Sequence, residues 1–465
     1  MKNFLRFIFP ILFLLLLQLS ASRVKAAGSA PLTLDQAIST ALEDNPRLKS
    51  LSGRVKAAAA GEKVSRGSLY PRLDAYAGYT RTSNPMLIIP MKSLPPTYEP
   101  VFTRNHYTAG LSAILPLYQG GRRWSRITMA ELEKKISDRA LSFTRQELIA
   151  NVTNTFNRII SLKELEKAQE KVLAALKKAH LDVRRRVDLG RAAPVEVMKM
   201  ETQVAGQEFE LAHTRQARLR ARQLLAALLG LDPASPPEVA GRLPAELPGL
   251  PEDDPGTIEE LLRQRPDLEK AAHQVELAEN NIKLEKGWNL PEVDLVGDYG
   301  RRAGSGLNDH EEVWSAGVNL RFNLFAGGTI QSRIQRAEAR LESARQEYSD
   351  LELKARTEIG NATTRITEAR RKLEMAERAI KSARESWRIE DLKYRAGAGT
   401  ITDSLLAQAA WFEAEALRSE ALYELNTAAV DFKLATGTIA NGYLDESTEE
   451  NDAQSDHPQN RQRNQ

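Results

Sequence analysis

The chain is written twice, and that duplication limits its possible folds more than any local propensity does. Tyr107-Thr-Ala-Gly110 matches Trp314-Ser-Ala-Gly317, Leu117-Tyr-Gln-Gly-Gly121 matches Leu324-Phe-Ala-Gly-Gly328, and Ser125-Arg-Ile127 matches Ser332-Arg-Ile334, all at an offset of 207 residues. The same offset pairs Gly190 with Gly397 and Leu229-Gly230 with Thr436-Gly437. Upstream, Asn45-Pro46 pairs with Arg265-Pro266 and Pro71 with Pro291, at an offset of 220. The 13-residue difference is an insertion between Thr82 and Arg104, where Pro85, Pro90, Pro95, Pro96 and Pro100 read as a long exposed loop. Met86 and Met91 lie in that loop, where a methionine filling a local gap is the simpler reading than a soft-metal ligand.

The repeat sets the domain plan. Residues 1–26 read as a signal peptide, with Lys2 and Arg6, an apolar run from Phe7 to Leu19, and small residues ending at Ala26. The first repeat covers 27–232, a Pro-rich linker 233–256, the second repeat 257–438, and a polar tail without much to bury 439–465. Each repeat reads as helix, two strands, very long helix, turn, long helix. The opening helices start near Thr33-Leu-Asp-Gln36 and Thr257-Ile-Glu-Glu260, both capping-box patterns, and should end before Pro71 and Pro291. Strands are expected at about 72–82, 105–118, 292–302 and 312–325. Tyr107, Ala109, Leu111, Ala113, Leu115 and Leu117 alternate with Thr108, Gly110 and Ser112. In the second copy Trp314, Ala316, Val318, Leu320, Phe322 and Leu324 alternate with Ser315, Gly317, Asn319, Arg321 and Asn323. One face is oily and the other wet.

No proline interrupts Leu117–Ala193 or Glu292–His457, so long helices are allowed. From Ile330 to Trp387 the apolar positions advance by three or four residues at every step, with two successive fours at Leu351-Ala355-Ile359 making a stutter. Alanine fills about half of that seam. A helix from Ile330 to Tyr394 is about 100 Å long at about 1.5 Å per residue, more than a compact globule needs.

Several function classes fall away. The chain has no cysteine, which removes disulfides, thiolate metal sites and cysteine nucleophiles. Lys2, Arg6, Arg23 and Lys25 are the only charges in the first 26 residues, and beyond them positive and negative charges nearly balance. That balance offers no basic field for nucleic acid. The six histidines form no metal-spaced set, no Gly-x-Ser-x-Gly or phosphate loop appears, and Gly397-Ala-Gly399 joins two helices. No cofactor or metal is expected, and no enzyme.

Four strands with one oily face need lipid or copies of themselves to cover it, because nothing else in the chain reads as a second sheet. A sheet in a membrane must close, and the smallest such barrels use about eight strands. Asp74, Ser112, Asp298, Asn319 and Arg321 would give a closed barrel a wet interior. The alternative is a periplasmic coiled-coil scaffold or adaptor.

On these residues the chain resembles the TolC-type outer membrane efflux protein family. The resemblance rests on the linker running into Leu261-Leu-Arg-Gln-Arg-Pro-Asp-Leu268, the two Gly-Gly junctions at Pro116–Gly121 and Asn323–Gly328, and the turn Tyr394-Arg-Ala-Gly-Ala-Gly-Thr-Ile-Thr-Asp403. It implies a mainly α fold with a membrane β-barrel portion: a homotrimer closing a 12-stranded barrel over a long periplasmic α-helical barrel. It implies the outer membrane of a Gram-negative bacterium as the location, with a periplasmic adaptor and an inner-membrane transporter as partners. The role would be exit duct for efflux or type I secretion, with cargo set largely by the pump. Gly120, Gly121, Gly327 and Gly328 would mark the barrel-to-helix junctions. Leu189, Gly190, Ala193, Pro194, Gly397, Gly399 and Thr400 would form the tips that meet the adaptor, with Gly397 and Gly399 both permitting a left-handed helix exit. Asp403 is a candidate for the periplasmic gate and equally a plain capping-box residue. Leu406 stands where some relatives carry a second acidic residue, and Gly399 where they carry a basic one, so a two-ring acidic gate lacks its second carboxylate here.

Overall fold

The computed structural model describes residues 31–87, 102–245, 255–305, 310–441 and 443. The leader, most of the inserted loop with Met91, the middle of the linker and most of the tail lie outside them. The elements are α1 (Leu34–Asp44), α2 (Pro46–Gly67), β1 (Arg72–Leu87), β2 (Phe102–Gln119), α3 (Arg122–Asp188), α4 (Pro194–Leu228), α5 (Pro255–Arg263), α6 (Pro266–Lys286), β3 (Glu292–Ala303), β4 (His310–Arg321), α7 (Thr329–Arg395) and α8 (Ile401–Ala435).

The chain divides into two compact units. One comprises residues 44–151, 246–372 and 427–465 and holds the sheet with α2, α5 and α6. Its four strands run antiparallel in the order β1-β2-β3-β4. The other comprises residues 1–43, 152–245 and 373–426 and is helical, with α1 and α4. Its linker segment is strapped down rather than free. Leu32 N–H donates to the Glu238 carbonyl at 2.9 Å, Ala240 N–H to Leu32 at 2.9 Å, and the Arg222 guanidinium to the carbonyls of Pro236 and Pro237 at 2.7 and 3.0 Å. Val239 is thereby fully buried.

The opening helix of each repeat is split, a correction to the single helix expected from the sequence. Asn45 and Arg265 have extended backbone and each is followed by a proline at the first helical position, so Pro46 and Pro266 start new helices. Asn45 caps the second of its pair, its side-chain oxygen accepting from Arg47 and Leu48 N–H at 2.9 and 3.3 Å. Thr33 and Gln36 form the reciprocal capping box at 3.1 and 3.4 Å. Thr257, in contrast, lies inside α5, which already begins at Pro255.

The long helices follow their apolar period. Every seam position of α7 from Ile330 to Trp387 is buried or half-buried, and Ala355, Ile359, Ala362, Ile366, Ala369, Leu373 and Ala376 are all buried. The helix is 67 residues long, as is α3. All four long helices end in a glycine with positive φ, at Gly190, Gly230, Gly397 and Gly437. Each end makes the same two bonds: Gly190 N–H to Val187 and Arg191 N–H to Arg186, for example, at 2.9 and 2.7 Å. This is the Schellman geometry, and it is why the repeat preserves these four glycines. The segment after Gly437 is not all polar tail, since Ile439 and Ala440 are buried.

Candidate functional site

The sheet register places side chains in rows. Ala75, Leu111 and Tyr299 share one row with Trp314, and Leu73, Ala113 and Gly297 share another with Ala316. Both rows lie on the oily face, whose large residues are exposed in the single chain. On the opposite face Asp74, Ser112, Asp298 and Ser315 form one row, and Tyr76, Gly110, Gly300 and Val313 the next. The Tyr76 ring crosses both glycines to donate its hydroxyl to Asp298 Oδ1 at 2.9 Å. A Cβ at Gly110 or Gly300 would fall 2.7 or 2.9 Å from that hydroxyl, so the two glycines clear its path. Arg301 breaks the alternation on the oily face, paired with Glu312 at 2.6 Å on the neighbouring strand.

Two strand ends differ from expectation. β1 continues to Leu87 through a register irregularity after Arg81, into what was read as loop. β4 stops at Arg321, opposite Glu292 where β3 begins, so the alternating residues Phe322–Phe325 are not strand.

The first Gly-Gly junction is closely packed. Gly120 and Gly121 both have positive φ, and a Cβ on Gly120 would fall 2.3 Å from the Gly287 carbonyl oxygen and 2.8 Å from Leu290 Cβ. Arg122, only 2% exposed, lies 3.7 Å from the Trp288 ring, donates to the Gln119 carbonyl at 3.0 Å and pairs with Glu292. Arg123 donates to the carbonyls of Pro116 and Ser68. These arginines fasten helix start to strand end, and nothing in their sequence spacing announces it. Gly327 and Gly328 repeat the positive φ, but among the described residues, chain neighbours aside, nothing comes within 4 Å of a Cβ on either.

A second buried arginine explains the Leu261–Leu268 motif. Arg265 donates from Nε and Nη2 to Asp267 at 3.0 and 2.7 Å, and from Nη1 to Glu358 at 2.8 Å and the Ala435 carbonyl at 2.9 Å. It thus ties the start of α6 to α7 and to the end of α8. Burial pulls the Arg265 guanidinium down, but Asp267 and Glu358 outweigh it and hold it above its ordinary value.

The two helix turns sit on one apolar cluster of Val172, Leu176, Val183, Met200 and Ile401, against which Val197, Tyr394 and Leu405 pack. Lys199 Nζ donates to Thr402 Oγ1 at 3.0 Å, linking α4 to α8. In the first turn Gly190 takes positive φ, Leu189 is exposed, and Ala193 supplies an extended residue before Pro194 with no side-chain cap. In the second, only Gly397 takes the left-handed exit. Gly399 is a correction: its φ is ordinary, and its lack of a side chain matters because a Cβ would meet Lys393 Cβ at 3.1 Å. Thr400 and Asp403 form a reciprocal box. Asp403 N–H donates to Thr400 Oγ1 at 3.1 Å, while Thr400 donates to Asp403 Oδ2 from Oγ1 at 2.5 Å and N–H at 3.4 Å. Asp403 and Leu406 are exposed. Arg186 lies 4.6 Å above the Tyr394 ring, whose phenol is pushed up by burial.

Among the described residues no helix is long and apolar enough to cross a membrane, and no cluster of three or more metal-ligating side chains occurs. A profile of the outer membrane efflux protein family matches residues 37–231 and 257–438. The chain is similar to the pyoverdine export outer membrane protein OpmQ of Pseudomonas aeruginosa, 25% identical over 405 residues that cover 86% of this chain and 82% of that one. It is also similar to the cobalt-zinc-cadmium resistance protein CzcC of Cupriavidus metallidurans, 24% identical over 397 residues, 84% of this chain and 86% of that one. The fold resembles the CmeC outer membrane channel of Campylobacter jejuni with a TM-score of 0.78 at 19% identity, covering 90% of this chain and 88% of that one.

Proposed function

The chain belongs to the outer membrane efflux protein family and is an outer membrane efflux channel, and from that premise we propose that three copies assemble into one conduit. The observation that carries this reading is the four-stranded antiparallel sheet with an exposed apolar face and two edges that no described strand covers. Four strands cannot close, and an open edge in hydrocarbon leaves its N–H and C=O groups unsatisfied at several kcal/mol each. Three copies supply 12 strands, within the range of known barrels. The oily rows then meet lipid, and the rows holding Asp74, Tyr76 and Asp298 line the water-filled interior.

The duct has no catalytic step of its own. Its helix turns form the periplasmic mouth, where a periplasmic adaptor docks on Leu189, Gly190, Ala193, Pro194, Gly397, Gly399 and Thr400 and joins it to an inner-membrane transporter. Asp403, exposed and held by its box to Thr400, lines the mouth as one acidic ring. Relatives at nearly equal identity are named for pyoverdine export and for cobalt, zinc and cadmium resistance, so overall identity does not separate cargo classes.

The test is the mass of the detergent-extracted protein together with its conductance in a planar bilayer. A trimer giving stepwise single-channel currents is expected. A monomer or dimer that gives none overturns the conduit.

A further inference from the structure

The helical unit holds a cleft that the efflux reading does not use. Its volume is about 760 Å³, within the range of sites for small organic molecules. Every residue lining it falls within 152–245 or 373–426, so it is complete inside one compact unit of a single chain.

Helical spacing builds its walls. On α8, Gln408, Trp411, Phe412 and Glu415 stand at i, i+3, i+4 and i+7 and so share one face. Trp387 of α7 stacks on Trp411 with ring centroids 4.9 Å apart and planes 17° from parallel, and Phe412 lies 5.0 Å from Trp411. From α3, Leu165, Ala168, Val172 and Ala175 add a wall of small and aliphatic side chains at steps of three and four. An aromatic wall beside an aliphatic one suits a flat ring system, which buries a large apolar area at little cost in conformational freedom.

The polar groups of this lining are left incomplete. Gln408 is 8% exposed and makes no hydrogen bond to any described residue. Trp411 Nε1 and Gln169 Oε1 are buried with no partner among the described residues. An unmet buried donor or acceptor costs about 1–3 kcal/mol, and a packing gap lined by apolar groups would carry no such cost. Charge narrows the class of ligand further, because the lining holds four acidic and four basic side chains and favours neither an anion nor a cation.

We propose that this cleft binds a neutral, planar aromatic lactam or amide, stacked on the Trp387–Trp411 pair and held by Gln408. The Gln408 amide offers a donor and an acceptor side by side, and a lactam presents the complementary two in one plane, so both bonds form with a single ligand, as they do between glutamine and adenine. The ligand touches α3 and α4 of the first repeat and α7 and α8 of the second, and its occupancy ties the two helix pairs together. The site does not rest on the assembly proposed above, since one chain supplies all of it.

The probe is carbostyril, an uncharged bicyclic aromatic lactam, and its N-methyl derivative is the control that keeps the rings and loses the donor. Equilibrium dialysis of the detergent-extracted full-length protein, with protein-free micelles as the blank, should show saturable uptake of one carbostyril per chain. N-methylation of the probe should weaken uptake by about tenfold or more, and so should Gln408→Leu. Ala168→Phe, which fills the cleft from α3, should abolish saturable uptake with helical circular dichroism retained. The comparison of the two compounds needs only wild-type protein and decides the matter even where a variant fails to fold. Uptake no greater than that of empty micelles overturns the site. Equal uptake of the two compounds, or uptake unchanged in both variants, places the binding elsewhere and overturns it equally.

Discussion

Arg265→Ala should strongly destabilise the unit that holds the sheet. The Arg265 side chain is 5% exposed and its partner Asp267 is 11% exposed, so removing the guanidinium leaves a buried carboxylate whose remaining partner is the Leu268 N–H at 3.0 Å. Breaking a buried pair from one side costs about 3–5 kcal/mol. Glu358 is 56% exposed, and water replaces its contact at little cost. The Ala435 carbonyl loses a donor, worth about 1 kcal/mol. A total of about 4–6 kcal/mol follows. With an unfolding entropy of about 2 cal/mol/K per residue, 1 kcal/mol shifts Tm by about 1 °C when the whole chain melts together, and nearly twice that when this unit melts alone. The midpoint in one detergent and at one scan rate, followed by circular dichroism, should therefore fall by about 4–10 °C. Arg265→Lys should recover little, because an ammonium cannot make the paired contact with Asp267. The double variant Arg265→Ala/Asp267→Ala should melt above Arg265→Ala, since the stranded charge is gone. A double variant that melts lower than Arg265→Ala would refute the reasoning, as would an unchanged midpoint for Arg265→Ala.

Three further outcomes are expected. Asp403→Ala and Asp403→Asn should both raise single-channel conductance if the carboxylate ring narrows the mouth, whereas Thr400→Ala removes the other half of the box, costs about 1 kcal/mol of helix stability and should leave the charge in place; unchanged conductance in both aspartate variants removes Asp403 from the gate. Gly120→Ala, with positive φ and a carbonyl 2.3 Å from the new Cβ, should abolish folded protein, while Gly121→Ala, with positive φ and open space, should lose only about 1–2 kcal/mol; equal yields of the two would show that close approach is not what fixes Gly120. Glu62 is held below its ordinary 4.5 chiefly by its bond from Arg66; burial opposes that, and the contact with Lys134 lowers it further. A carboxylate depressed on folding contributes stability above its unfolded value and loses it as pH falls through the folded one. The Tm gap between wild type and Glu62→Gln should thus be present at neutral pH and close below about 4.5; a gap independent of pH between 7 and 3 would contradict it.

The parts of this fold that were legible in the sequence are those governed by local rules. The α7 seam follows from the spacing of its own residues, the Thr33 and Thr400 boxes from side chains three apart, and the helix exits from glycine's access to positive φ. What was misread depends on partners distant in sequence or on a competing local rule. Asn45-Pro46 and Arg265-Pro266 were visible as repeat markers, but a proline at a first helical position splits the helix, and that reading requires knowing that the chain continues helical on both sides. Gly399 looked like a second left-handed residue and is instead a clearance for Lys393. β4 was expected to run as far as its alternation, yet a strand lasts only as long as something lies opposite it. Arg122 and Arg265 escaped notice because an arginine in a helix-rich, highly charged chain reads as solvent-facing until Trp288, Asp267 and Ala435 are placed around it.

The buried seam of α7 alternates small and large without a break: Ala355, Ile359, Ala362, Ile366, Ala369, Leu373, Ala376. Such a surface works as a ratchet rack. Displaced along its axis by half a heptad, about 5 Å, each isoleucine or leucine would arrive where an alanine had been, and the bulky side chains would have no hollow to enter. Only a shift of a whole heptad, about 10.5 Å, restores the fit. Axial sliding is therefore blocked for small excursions. Any widening of a bundle made from this helix should therefore leave each residue at its height along the axis.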